Sequence, residues 1–283
     1  MIARTLSLAG QRVDLSLEGE VDVSHLDARF SAFYGDDDAP ALGPPIALSL
    51  RATAGWAPET APRAAYPGVD VARDGGALVF TRETERVRYE PERARVEAEA
   101  RPTARGLPPL VDPTPVDTPL RLLMAYLLPR SDGVLLHASG YADARGAVCF
   151  LAVSGGGKTT TARKLPETSV LSDDQVALRR VSGAWEAFSL PFVGEWARAT
   201  RRLRAPLRGL VLLAKGDETS LARVRGPAAL AGLARSVVNF VSDDPASARI
   251  LDHAASLMAE VPAWRWTTPR DGAVEPVLDA VLG

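Results

Sequence analysis

The first hundred residues are organised as short stretches in which apolar and polar residues alternate. Residues 46–53 alternate, residues 5–17 are rich in apolar side chains, and residues 77–89 lead into a second alternating run at residues 94–101. A period of two places the apolar side chains on one face of a β-strand. Alanine and glutamate in the last run would also suit a helix. The alternation favours strands, and the pattern predicts a β-rich amino-terminal lobe.

A proline-rich stretch follows, with six prolines between residues 101 and 119. Proline is poorly accommodated in a helix interior or a central strand, so we place a lobe boundary here, between residues 1–115 and 116–283. Thr118 then offers an N-cap and Pro119 a first helical residue. This combination predicts an amphipathic helix that runs to Leu128 and ends at Pro129.

From Gly133 the pattern indicates buried strands. Residues 134–137 form one apolar stretch, and residues 147–153 form a second, nearly continuous one that is typical of a central strand covered on both faces. Residues 143–146 between them have the composition of a turn, which predicts an antiparallel hairpin. The expected fold class is α/β (α+β), with a mixed sheet flanked by helices. Residues 228–258 predict one or two helices, with a break and an N-cap at residues 243–245.

The overall composition narrows the classes of protein that fit the chain. Its 283 residues are 46% hydrophobic and 24% charged, with a formal net charge of −2, as in ordinary globular proteins. Nucleic acid is therefore an unfavoured partner. No apolar run approaches the roughly 20 residues that span a bilayer, so we expect no membrane segment and a cytoplasmic location. The sequence leaves assembly into a homo-oligomer open.

Cysteine and lysine are both scarce. The single cysteine, Cys149, lies within an apolar run and is expected to be a buried structural thiol. Of the 33 basic residues, 30 are arginine, and the lysines are Lys158, Lys164 and Lys215. A lysine retained within a glycine-rich loop indicates that its compact ammonium is specifically needed there.

That glycine-rich loop directly follows the second apolar stretch and precedes an expected helix start at residues 162–165. Its glycines allow successive backbone amides to turn inward and form a nest for an anion. Lys158 would reach the β- and γ-phosphates of a nucleotide, and Thr159 Oγ1 would bind Mg²⁺. The full phosphate-loop motif begins with glycine, where this chain has Ala152. The predicted ATP- or GTP-binding residues are Ser154, Gly155, Gly156, Gly157, Lys158, Thr159 and Thr160.

Two adjacent carboxylates, Asp173 and Asp174, end the next apolar stretch. Phosphoryl transfer needs a Mg²⁺-binding acid and a base for the acceptor hydroxyl, and two such acids beside a phosphate loop meet both needs. A simple turn at the sheet edge is the alternative interpretation. The acidic run at residues 36–38 has no spaced partner and is interpreted as a polar loop rather than a metal site.

Three stretches together resemble the HPr kinase/phosphorylase family, with phosphoenolpyruvate carboxykinase as a more distant relative. They are residues 133–140, the loop at 152–160 and residues 171–174. Residues 189–195 and 206–213 are also similar to HPr-kinase-like proteins. The resemblance covers roughly residues 118–265 and implies a carboxykinase-like P-loop kinase core.

The resemblance also implies roles for individual residues. It assigns Asp173 as the base in the kinase direction and Asp174 as its neighbour on the metal side, and the two acids can exchange these roles. It places His137 near the transferred phosphate, although a histidine ending an apolar strand is by itself typical of a core residue.

Two departures from the family limit what the resemblance implies. Thr160 stands where HPr kinases have glutamate, and the extended signature that supplies a catalytic arginine is missing. We therefore expect kinase rather than phosphorylase activity. Arginines that could neutralise transition-state charge are Arg198, Arg201, Arg202, Arg204 and Arg208.

The leading hypothesis is a Mg-nucleotide-dependent serine/threonine kinase acting on a small protein or peptide, including a natural-product precursor peptide. A small-molecule kinase on the same scaffold and a non-catalytic nucleotide-sensing protein are the alternatives. Trp264 and Trp266 near the carboxyl terminus are interpreted as packing residues and left out of the site.

Overall fold

The computed structural model describes residues 1–19, 21, 23–53, 69–82, 85–100, 116–194, 196, 200–241 and 246–283. The chain divides into two compact units, Met1–Tyr126 and Leu127–Gly283. Each unit contains one mixed β-sheet with few helices, so the α+β class predicted from the sequence is confirmed. The lobe boundary predicted at residue 115 lies outside the described residues.

The first unit is a seven-stranded sheet in the order β1-β2-β3-β7-β6-β5-β4. The pairs β2–β3 and β3–β7 are parallel, and the remaining pairs are antiparallel. Alternating residues of β3 are buried, which confirms the strand predicted there. Helix α1 was not predicted, because its eight residues are too few to show a clear helical period. The elements are β1 Ile2–Leu8, β2 Gln11–Gly19, α1 Val23–Phe30, β3 Ile46–Ala52, β4 Asp70–Asp74, β5 Ala77–Thr81, β6 Glu85–Glu90 and β7 Arg95–Ala100.

Helix α2 spans Asp117–Leu127 and continues as a 3₁₀ turn, Leu128–Arg130. It begins at Asp117, so the prediction that Thr118 is the N-cap is wrong. Pro119 is the third helical residue, where proline is tolerated because the first amides of a helix have no partner within it. Asp117 is buried and forms an ion pair with buried Arg29 of α1, with 2.6 Å between Nη2 and Oδ2.

The second unit contains the predicted hairpin. β8 and β9 pair antiparallel, with Ala138 opposite Leu151 and Asp143 opposite Gly146. Every residue of β9 is buried, which confirms a central strand. The elements are β8 Gly133–Asp143, β9 Gly146–Leu151, α3 Lys158–Ala162, β10 Val170–Ser172, β11 Gln175–Val181, β12 Ala184–Phe188, β13 Arg204–Lys215, β14 Ser220–Val224, α4 Gly226–Ala234, α5 Ala246–Glu260, β15 Ala263–Thr268 and α6 Glu275–Leu282.

Five of these strands close into a ring. β8 pairs with β9 and β11, β11 with β12, β12 with β13, and β13 with β9. Cys149 belongs to the apolar cluster of this unit, and burial raises the pKa of its thiol to about 12. This confirms a structural rather than a reactive cysteine.

Strands β9, β13 and β15 run parallel to one another, so their carboxyl ends lie at the same edge of the sheet. Ligands in open α/β sheets bind in crevices at that edge. Trp266 is fully buried on β15, and its ring lies 6.3 Å from that of Phe150, which confirms a packing role. Helices α4 and α5 occupy most of the region predicted to be helical; the expected N-cap at residues 243–245 lies outside the described residues.

Among the described residues, none of the helices combines the length and the apolar character that crossing a membrane requires.

Candidate functional site

A cavity of about 1050 Å³ lies at the carboxyl ends of these parallel strands. It is lined by segments from six places in the chain: β8, the glycine-rich loop with α3, the turn after β10, Gly194, the end of β13 with the loop that follows it, and the end of β15 with its loop. The predicted site residues that line it are His137, Ser154, Gly155, Gly156, Gly157, Lys158, Thr159, Thr160, Asp173 and Asp174. All the residues chosen from sequence motifs therefore meet in one cavity.

The three glycines of the loop are needed for different physical reasons. Gly155 and Gly157 have φ values of +71° and +102°, a region that other residues rarely adopt, and both have open space where a Cβ would lie. Gly156 has an ordinary φ but no room, because a Cβ there would lie 2.6 Å from Ala152 Cβ and 2.9 Å from the Val153 carbonyl oxygen.

The contact between Gly156 and Ala152 explains how the loop accommodates alanine at the motif's first position. The methyl group of Ala152 lies next to the place that a side chain at residue 156 would need. The Gly156 amide in turn donates a hydrogen bond of 2.9 Å to the Val153 carbonyl and closes the turn. Glycine at 156 thus offsets the loss of glycine at 152.

Lys158 is the first residue of α3 and is only 6% exposed. Its Nζ donates hydrogen bonds to the carbonyl oxygens of Ala152, at 2.9 Å, and Val153, at 3.3 Å. These two hydrogen bonds hold the ammonium against the backbone at the start of the loop. Helix α3 ends at Ala162, so the helix expected to start at residues 162–165 in fact begins at Lys158 and is short; Pro166 disfavours the helical conformation at the residue before it.

The two acids leave β10 through a turn organised by Ser172, whose Oγ accepts hydrogen bonds from the amides of Asp174 and Gln175. Asp173 is 2% exposed. Its Oδ1 accepts a hydrogen bond from the Gly194 amide, at 3.0 Å, and its Oδ2 accepts one from the Trp196 amide, at 3.1 Å. The carboxylate of Asp173 is therefore fixed by the backbone amides of Gly194 and Trp196.

Asp174 contacts His137 across the same wall of the cavity. Its Oδ1 lies 3.0 Å from His137 Nδ1, and the histidine side chain is 42% exposed. His137 does not end its strand, because β8 continues to Asp143, and it lines the cavity, as expected of a site residue rather than of a core histidine. A carboxylate on Nδ1 orients the imidazole and leaves Nε2 for a ligand.

The far side of the cavity is formed by residues that sequence reasoning missed. Lys215 ends β13 and Asp217 follows it, Thr268 ends β15 and Arg270 follows it, and Lys164 follows α3. All three lysines of the chain consequently line this one cavity, and their scarcity was the signal that could have located it.

The arginines proposed from the sequence lie elsewhere. Arg204 pairs with Glu186 on β12, and Arg208 donates a hydrogen bond to the Arg145 carbonyl. Neither lines the cavity, and neither do Arg201 and Arg202, while Arg198 lies outside the described residues. Within the part of the chain that the structure describes, the arginine lining the cavity is Arg270.

The donor set can be compared with the needs of Mg²⁺. Among the described residues there is no group of three or more histidine, cysteine, aspartate or glutamate side chains that could hold a metal. Mg²⁺ at nucleotide sites typically uses one or two protein oxygens together with phosphates and water. Thr159 and Asp174 line the cavity and fit that smaller requirement.

The chain matches no protein-family model, and a search of curated proteins finds no match to it. The similarity to HPr kinases therefore stays a prediction, which the comparisons do not test.

Proposed function

We propose that this chain is a Mg-nucleotide-dependent kinase with a carboxykinase-like P-loop core, transferring the γ-phosphate to a Ser or Thr hydroxyl of a small protein or peptide. One observation carries the proposal. The glycine-rich loop, Lys158, His137 and the Asp173–Asp174 pair line a single cavity, although they come from separate elements of the chain.

The loop would bind the phosphates of ATP or GTP. Glycines in such conformations allow backbone amides to form a nest for an anion, and Lys158 would supply a positive charge beside it. Fixed donors and charges of this kind stabilise the charge that spreads over the γ-phosphoryl oxygens during transfer. Mg²⁺, bound with the nucleotide, would neutralise phosphate charge, and Thr159 and Asp174 are the residues that would hold it.

The acid pair and the histidine would serve the acceptor. Asp173, fixed by two amides, would orient the incoming hydroxyl and accept its proton. Asp174 orients His137 toward the cavity, where the imidazole would lie near the transferred group. A hydroxyl held beside a fixed carboxylate gains reactivity mainly through positioning.

The test is transfer of labelled phosphate from γ-labelled ATP in the presence of Mg²⁺ to candidate peptides, including those encoded beside this gene. We expect Asp173→Asn to reduce transfer by roughly 10²- to 10⁴-fold, the usual contribution of a general base. Asp252→Asn is the matched control, because Asp252 is exposed on α5 of the same unit.

Transfer that is unchanged in Asp173→Asn would contradict the proposed role of this acid. Nucleotide binding without transfer or hydrolysis would instead support a sensing protein. Phosphorylation of small molecules but of no peptide would favour a small-molecule kinase on the same scaffold.

A further inference from the structure

The order of strands in the sheet separates the cavity into two sides. β9, which carries the glycine-rich loop, lies between β8 and β13. His137 and the two acids belong to the β8 and β10 side, whereas Lys215 at the end of β13 and Arg270 after β15 belong to the other. Groups on this second side are therefore separated from the proposed acceptor groups by the loop itself.

The turn that carries Arg270 is attached to the segment that follows the loop. Lys164 Nζ donates hydrogen bonds of 2.7 Å to the carbonyl oxygens of both Arg270 and Gly272. The Gly272 amide donates to the Pro269 carbonyl at 3.1 Å, which closes the turn. Two short hydrogen bonds from a charged donor to carbonyl groups two residues apart fix the position of the backbone at Arg270 and Gly272.

Close packing restrains the same region further. A Cβ at Gly272 would lie 1.9 Å from Thr268 Oγ1, and one at Gly216 would lie 2.5 Å from Thr267 Cγ2. The Gly216 amide also donates a hydrogen bond to the Thr268 carbonyl, at 3.3 Å. The loops after β13 and β15 thus form one connected wall of the cavity.

Two residues of this wall, Lys215 and Arg270, are positively charged and exposed. The side chains of Lys215 and Arg270 make no hydrogen bond or ion pair with any of the described residues. By contrast, Arg145 and Arg204 in the same unit are both paired with carboxylates. Cations that converge on a cavity without an internal partner are suited to an anionic ligand.

We infer that Arg270 binds the phosphate chain of the nucleotide, and that Lys164 is a positioning residue which holds the Arg270 backbone in place; this rests on the proposed function. A guanidinium can form two parallel hydrogen bonds to phosphate oxygens, a geometry that an ammonium cannot match. Its place opposite the acids assigns it to the nucleotide rather than to the acceptor. The catalytic arginine that the sequence did not supply would thus come from the loop after β15.

The experiment measures the affinities of the full chain for ATP, ADP and AMP with Mg²⁺ by calorimetry. We expect Arg270→Gln to lower the ratio of ATP to AMP affinity by about tenfold or more, as for loss of a charge-assisted hydrogen bond, with AMP affinity unchanged. Lys164→Met should lower the same ratio, and Lys164→Arg should restore part of it. Arg208→Gln is the matched control, because this exposed arginine does not line the cavity.

An unchanged ratio in Arg270→Gln overturns the inference, and so does an equal loss for all three nucleotides, which would place Arg270 against the nucleoside. These outcomes leave the proposed kinase function standing, because wild-type protein still binds the nucleotides. Failure of the wild-type chain to bind any of them overturns the proposed function, and the inference with it.

Discussion

The ion pairs of the first unit contrast with two cations of the second unit. In the first unit, charges are paired with one another: Arg88 Nη1 lies 2.5 Å from Asp74 Oδ2, and Arg95 Nη2 lies 2.6 Å from Glu97 Oε1. In the second unit, Lys215 and Arg270 line the cavity without a partner among the described residues. Charges that are satisfied internally maintain a structure, whereas convergent charges without partners indicate a place where a ligand completes the set.

The charged pairs of the first unit also differ in how deeply they are buried. Exposed pairs on the first sheet contribute little to stability, because water already solvates both groups. The Arg29–Asp117 pair is different, because both side chains are almost completely buried. Water cannot solvate either charge when its partner is removed. If this contrast is right, substitutions in the buried pair should change the free energy of unfolding, and substitutions of cavity residues should change the affinity for a ligand.

The largest effect is expected from Asp117→Ala. It leaves the buried Arg29 guanidinium without its carboxylate, and breaking a buried pair on one side costs about 3–5 kcal/mol. Chemical denaturation of the full chain measures this loss. Asp36→Ala is the control, because Asp36 is exposed in a polar loop and should change the free energy of unfolding by less than about 1 kcal/mol. Similar losses in the two variants would remove the distinction between buried and exposed pairs.

A pH effect of somewhat smaller size is expected at Glu85. Burial raises the pKa of this carboxyl, Thr118 and Arg82 oppose the rise and Asp117 adds to it, so that the net change is from 4.5 to about 7. The folded chain therefore holds a proton that the unfolded chain releases, so stability falls as the pH rises from about 4.5 to 7. At 1.36 kcal/mol per pKa unit the total is roughly 3 kcal/mol.

Glu85→Gln should remove this dependence, because an amide stays neutral throughout the range. Thermal unfolding between pH 4.5 and 8 would show a flatter profile than in the wild type. A variant profile parallel to the wild-type one would mean that Glu85 is ionised in the folded chain and that its burial has little energetic consequence.

The smallest effect concerns the loop. Gly156→Ala places a Cβ against Ala152 and the Val153 carbonyl, so the loop has to shift to accommodate it. We expect ATP affinity to fall about tenfold with little change in unfolding, as in a ligand site rather than a structural one. Adding Ala152→Gly removes one of the two clashes and should recover part of the affinity, which a calorimetric titration of both variants would show.

Local features of the sequence predicted much of the fold and half of the cavity. The buried run of β9, the hairpin turn before it and the Ser154–Thr160 motif each depend on neighbouring residues, so their patterns are visible in a single sequence. The acids after β10 were predicted to be site residues because two carboxylates at this spacing after a glycine-rich loop suit phosphoryl transfer.

The remaining parts depend on contacts between distant segments. Arg270 lies beside the loop only because β15 pairs in parallel with β13 and β13 with β9, and no local pattern encodes that order. The sequence also could not predict that Asp173 accepts hydrogen bonds from two backbone amides while Asp174 contacts a histidine. Those contacts come from distant residues, namely Gly194 and Trp196 for Asp173 and His137 for Asp174.

The closed ring of β8, β9, β11, β12 and β13 also has a consequence for the folding kinetics of this chain. The pairing of β9 with β13 joins two segments that β10, β11 and β12 separate along the chain, and pairings between distant segments slow folding because loop-closure entropy is lost first. The glycine-rich loop, the acids and Arg270 come together only through that closure. We therefore expect the proposed nucleotide site to form in the last phase of refolding, after most of the secondary structure has formed.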